Sequence, residues 1–167
     1  MQTPIKILGI DPGLRKTGWG VIEVRGNSTK ALGFGVIPSD AEDELGIRLN
    51  ALFQGICGVI EQFHPGEAAV EETFVNKNPG STLKLGMARG VAMLAPAFKG
   101  LPVFEYGANK VKKSVVGVGH ASKDQVIMMV SRLLPALGPI TSDAADALAV
   151  ALTHSHYRNF EKLKAIS

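Results

Sequence analysis

KILGIDPGLRKTGWGVIEV, residues 6–24, is the stretch whose reading decides the fold. An apolar run climbs to a single acid, Asp11. Pro12-Gly13 turns the chain, and a second apolar run follows, carrying Gly18 and Gly20. Two such runs around a tight turn predict strands over 5–11 and 17–25. A carboxylate at the end of a buried strand is costly unless it caps a turn, finds a partner or holds something. Asp11 is therefore the first candidate functional residue, and the rest of the chain must supply its company.

Working outward, Gly26-Asn27 reads as a hairpin turn into a third strand over 29–37. The period then changes. Leu45, Leu49, Leu52, Phe53, Ile56, Val59, Ile60 and Phe63 recur at helical spacing, predicting a helix over 43–63 that His64-Pro65-Gly66 stops. Residues 67–74 form a short strand. A polar loop leads to Ser81, the expected N-cap of a helix to about Phe98. Gly86 and Gly90 on that helix suggest close approach of another backbone, the chain's own sheet or a second subunit. Residues 102–106 read as a fifth strand, and 108–121 as a basic stretch interrupted by glycine. Ser122 and Ser142 each open a helix, to about Leu134 and about His156. This order predicts an α/β fold with a five-stranded mixed sheet, three antiparallel strands then two parallel, flanked by helices. A single domain over 1–157 and a charged, disordered tail over 158–167 are expected.

At 167 residues and 46% hydrophobic content the chain has material for one well-buried core. No run reaches the roughly 18 apolar residues of a membrane helix. MQTPIK lacks a secretory pattern, and the lone Cys57 leaves no intrachain disulfide or cysteine metal cluster. A cytoplasmic protein is expected. The net charge of +3 hides a division. Residues 39–72 hold eight acids against one base, and residues 75–123 hold eight bases against one acid. A basic half suggests a polyanion partner, although a solvated surface would look the same.

Four acids sit where a soluble domain disfavours them: Asp11, Glu71 within the apolar AAVEETF, and Asp143 and Asp146 within SDAADALAVAL. Spacing of three puts the two aspartates on one helical face. Each has a plain structural use, such as Asp143 complementing a helix dipole. Strand parity puts Glu71 and Glu72 on opposite faces, which favours Glu71 as the inward one. Clustered carboxylates repel unless a cation lies among them. An oxygen-only set suits Mg²⁺ or Mn²⁺, whose usual task is phosphate-ester chemistry. The basic half would then hold a nucleic-acid backbone.

GIDPG, AVEETF, KVKKSVVGVGHASKDQV and SDAADALAVALTH, in this order over about residues 5–157, closely resemble the RuvC family of bacterial Holliday junction resolvases. The resemblance implies a ribonuclease H-like fold and a homodimer that nicks four-way DNA junctions symmetrically in recombination and repair. It implies that Asp11, Glu71, Asp143 and Asp146 are the catalytic and metal-binding acids, holding two Mg²⁺ per subunit, with Mn²⁺ able to substitute. It places DNA-binding roles on Phe74, Lys112 and Lys123 and partnership with the RuvA–RuvB branch-migration complex. Lys77, Lys84, Arg89 and Lys113 are further basic candidates. His120 and His154 are read as surface or satisfied histidines. Rival readings are an ATPase using GIDPG as a phosphate loop, which 167 residues are too few to complete, a non-catalytic junction binder, and an RNA-directed nuclease.

Overall fold

The computed structural model describes residues 3–72, 77–135 and 138–166. Strand β1 (Ile5–Asp11) pairs antiparallel with β2 (Lys16–Arg25), and β2 with β3 (Ser28–Pro38). The β2–β3 hairpin turns at Gly26, whose φ of 57° suits glycine. Helix α1 (Leu45–Phe63) crosses to β4 (Glu67–Glu72), which runs parallel to β1. Helix α2 (Pro79–Phe98) crosses to β5 (Val103–Gly107), parallel to β4. The order β3-β2-β1-β4-β5 is the mixed sheet expected from the sequence. Three helices complete the chain: α3 (Ala108–Val115), α4 (Lys123–Leu133) and α5 (Ser142–Ile166).

The strand period of two divides the core into two layers. Leu8, Ile10, Ala68 and Val70 face α1 and α2. Ile7, Ala69 and Tyr106 face α3, α4 and α5. Asp11 and Glu71 share the parity of the second set, so both lie on the α5 side. What brings α5 there is the absence of side chains. A Cβ on Gly9 would lie 2.1 Å from the carbonyl oxygen of Ala147, and one on Gly18 would lie 2.1 Å from that of Asp143. Helix and sheet meet backbone to backbone, with Ala144, Ala145, Ala147 and Ala151 fully buried or nearly so.

Several local expectations change. Asn78, not Ser81, caps α2: its side chain accepts the Ser81 N–H at 3.1 Å, and Pro79 occupies the first turn, where no partner for its missing N–H is needed. Ser122 does cap α4, in a reciprocal box with Gln125. The glycine-interrupted basic stretch contains α3, because Val111 and Val115 bury one face of it. Helix α5 continues past His156 to Ile166, where a disordered tail was expected. Arg158 donates to both Glu67 oxygens, at 2.7 and 3.1 Å, and Lys110 reaches Glu161 at 3.5 Å, so Arg158 and Glu161 are partnered. Finally, nothing lies within 4 Å of a Cβ built on Gly86 or Gly90. The close approach within the chain is made by α5 at Gly9 and Gly18 of the sheet.

Gly9→Ala should therefore lose about 3 kcal/mol or more in chemical denaturation, since neither backbone can yield. Gly58→Ala, on the open face of α1 with nothing within 4 Å, should gain roughly 0.5–1 kcal/mol.

Candidate active site

Four acids from three elements meet at one end of the sheet. Asp11 ends β1 opposite Gly18. Ile10 and Val70 are in register across the parallel β1–β4 pair, so Glu71 is Asp11's neighbour on the same face. Asp143 and Asp146 occupy the start of α5, whose first turn Thr141 caps by accepting the Ala144 N–H at 3.3 Å. Glu72, on the opposite parity, is exposed beside Gly107.

The electrostatics record how close these acids are. Burial first, then the charge and hydrogen bond of Glu71 and the charges of Asp146 and Asp143, push Asp11 up to about 9. Burial also raises Glu71, against the opposing pull of its hydrogen bond to Asp11 and of Lys112. Asp146 rises to about 6, through burial and then Glu71 and Asp143, while Lys123 and Lys112 hold it down. A proton shared between Asp11 and Glu71 relieves part of the repulsion. Among the described residues, no three acid, histidine or cysteine side chains close on one point as a ready coordination cage. The donor chemistry nonetheless fits a hard divalent cation: oxygen ligands, part-buried, with more negative charge than two nearby lysines offset.

Lys112, on α3, and Lys123, the first residue of α4, thus stand within electrostatic reach of the acids. Lys113 packs by Gly119, and Lys77 and Lys84 are exposed at the start of α2. Arg89 forms an ion pair with Glu105. Phe74 lies outside the described residues.

Sequence reasoning passed over two features. Arg15 and Arg48 border a cavity near the acids, and nothing periodic marks them in the sequence. His154, read as surface or satisfied, is fully buried and satisfied. Its Nε2 meets Glu67 at 2.7 Å, its Nδ1 meets the Tyr106 hydroxyl at 2.7 Å, and Phe104 stacks on it at 4.4 Å. Burial pushes the Tyr106 phenol up, so it donates to Nδ1 while Nε2–H donates to Glu67. The spacing of Glu67 and Glu71 along one face of β4 ties this anchor to the acid cluster.

A mixed five-stranded sheet with carboxylates at the ends of β1 and β4 and on a closing helix defines a ribonuclease H-like nuclease. The RuvC model, crossover junction endodeoxyribonuclease, matches residues 7–154. RuvC of Brucella ovis is 56% identical over 158 residues, 95% of this chain and 91% of its own length. RuvC of Rhodopseudomonas palustris BisA53 is 57% identical over 166 residues, 99% and 95% of the two chains. Thermus thermophilus RuvC in complex with a Holliday junction substrate superposes with a TM-score of 0.86 at 34% identity, over 94% of this chain and 96% of that one. The yeast mitochondrial Holliday junction resolvase, at 16% identity and a TM-score of 0.62, shares the fold over 94% and 85%. The chain belongs to the RuvC family of crossover junction endodeoxyribonucleases, and membership implies the use of a divalent metal.

Because the metal-free cluster is self-repelling and partly desolvated, Asp11→Asn should stabilise the metal-free protein by about 1–3 kcal/mol in thermal or urea unfolding. Added Mg²⁺ should raise the melting temperature of the parent and much less that of the variant.

Proposed function

We propose that this chain resolves four-way DNA junctions by paired symmetric nicks, in recombination and repair. The observation that carries the reading is the meeting of Asp11, Glu71, Asp143 and Asp146 on one face, with Lys112 and Lys123 beside them. It is supported by the Thermus thermophilus relative, whose structure is a complex with a Holliday junction substrate. The four carboxylates would hold two Mg²⁺ ions, with Mn²⁺ able to substitute. Divalent cations there supply an activated water and stabilise the departing 3′ oxygen. The chain's own groups do the rest. Asp11 and Glu71 are fixed by adjacent strands, Asp143 and Asp146 by a helix that cannot shift against the sheet. Lys112 and Lys123 offset charge on the scissile phosphate. Phe74, by the family resemblance, would stack on a base near the crossover.

Junction selectivity would come from shape, and a two-fold dimer suits a substrate with two strands to cut. Leu83, Met87, Leu94 and Phe98 of α2, spaced by four, seven and four residues, leave one apolar helix face exposed. Gly86 and Gly90 are open on the same helix, and we place the dimer surface there. No helix is long and apolar enough to cross a membrane among the described residues. We place the enzyme in the cytoplasm with the chromosome, and we infer a RuvA–RuvB partnership from family resemblance.

Purified protein should nick a synthetic four-way junction in Mg²⁺ and leave the matched linear duplex uncut. Asp11→Asn should still bind the junction while nicking falls by at least roughly 10²-fold, the scale for losing one preorganised electrostatic group. Equal cutting of the duplex, or full cutting by the variant, would overturn the reading. Leu94→Glu with Phe98→Glu should give a monomer in sedimentation and uncouple the paired nicks.

A further inference from the structure

Arg48 is a buried cation whose counter-charge is missing from its surroundings. It sits in the first turn of α1 with 9% of its surface exposed. Its Nε donates to Ser39 Oγ at 3.0 Å. Ser39 in turn donates its hydroxyl to the carbonyl of Leu14, and its N–H to that of Arg15 at 3.0 Å. The guanidinium is thereby tied to the β1–β2 turn that follows Asp11. Among the described residues no carboxylate pairs with it. The other fully charged buried side chain, Glu67, has both Arg158 and His154. The serine fixes the guanidinium while its remaining edge, with no described carboxylate on it, stays open to an anion that arrives from outside.

The surroundings state which anion. Arg48 lines a cavity of about 340 Å³ together with Leu14, Arg15, Ser81, Lys84 and Leu85. Among the described residues, three cations face that space and no acid does. It shares Leu14 and Arg15 with a larger groove of about 900 Å³, whose wall includes Asp143 of the acid cluster. The larger groove mixes Arg15 and Lys16 with Asp40, Glu42 and Asp143, so the smaller cavity, whose described lining holds cations alone, is the more positive of the two. The planar fork of an arginine held in place by a serine matches the paired oxygens of a phosphodiester. Lys84 and Arg15 add point charges from two other elements. We propose that this cavity seats one backbone phosphate of the DNA strand that passes over the acids, and that it sets the register of the scissile bond. This rests on the functional reading above.

The test uses the Asp11→Asn protein, so that binding is read without cutting, and a set of four-way junctions. Each junction carries a single neutral methylphosphonate at successive positions on both sides of the expected nick. One position should weaken binding by roughly five- to tenfold, the loss of one charge-assisted contact. At that position Arg15→Gln and Lys84→Gln, both exposed and dispensable for the fold, should lose little more on neutralisation. Each should also lower the slope of log K against log salt by about 1. Arg48→Gln, checked by thermal melting, should do the same and more strongly. If all positions weaken Arg15→Gln and Lys84→Gln as much as their parent, the cavity seats no phosphate, while the functional reading stands. If the parent does not prefer the junction to linear duplex, the functional reading falls and the proposal with it.

Discussion

The closeness of α5 to the sheet is the constraint on which the structure depends. Two glycines, Gly9 and Gly18, remove the side chains that would hold a helix at its ordinary distance, and alanines on α5 do the same from above. Interiors pack near crystal density and cannot open a gap of a few tenths of an ångström without losing contacts along the whole seam. The helix is therefore placed by hard backbone contact. Asp143 and Asp146 inherit that placement, because Asp143 lies in its first turn against Gly18 and Asp146 follows three residues later on the same face.

A second attachment stops the helix from sliding. Towards its other end, His154 and Arg158 converge on Glu67, and Tyr106 closes the far side of the imidazole. Removing one partner of such a buried pair costs ~3–5 kcal/mol, because the remaining charge has nowhere to go. Glu67 and Glu71 belong to the same strand, four residues apart on the same face. One carboxylate of β4 thus fixes the helix, and the other meets the acids that the helix brings. The acid cluster is costly in itself, since burial and mutual repulsion push Asp11 up to about 9. Backbone contact at one end and a satisfied ion network at the other let the fold tolerate it.

Much of this was legible from the chain alone, for reasons that are local. The mixed sheet of three antiparallel and two parallel strands is legible in the turn chemistry at Pro12-Gly13 and Gly26-Asn27 and in the change of period at Leu45. The four acids stood out because each broke an apolar pattern, and Glu71 could be told from Glu72 by parity. Gly86 and Gly90 look anomalous in a helix and suggest a close approach to the chain's own sheet; within the chain that approach falls on Gly9 and Gly18, inside strands. The distinction depends on which elements stack, and no local pattern carries that information. The extent of α5 escaped for the same reason: Arg158 and Glu161 read as a charged tail until Glu67 and Lys110 are known to lie beneath them. Arg48 looked like one base among eight acids, and only folding shows that none of them reaches it.

That last point bears on how charge is distributed in the molecule. A tally over residues 39–72 makes this segment acidic, yet its one arginine is held by Ser39 at a cavity without described acids. Asp40 and Glu42 line the larger groove instead, and Glu44 stands at the start of α1 without a side-chain cap bond. Net charge by segment therefore says little about the field a polyanion meets. What a strand of DNA would encounter is an acid cluster at the sheet's end, lysines from α3 and α4 on one flank, and Arg15, Arg48 and Lys84 on the other. Cations on both flanks of a site that must itself stay negative can hold a polyanion over carboxylates that would otherwise repel it. The negative centre is then free to be as acidic as metal binding requires, because the attraction for the strand is supplied from its edges.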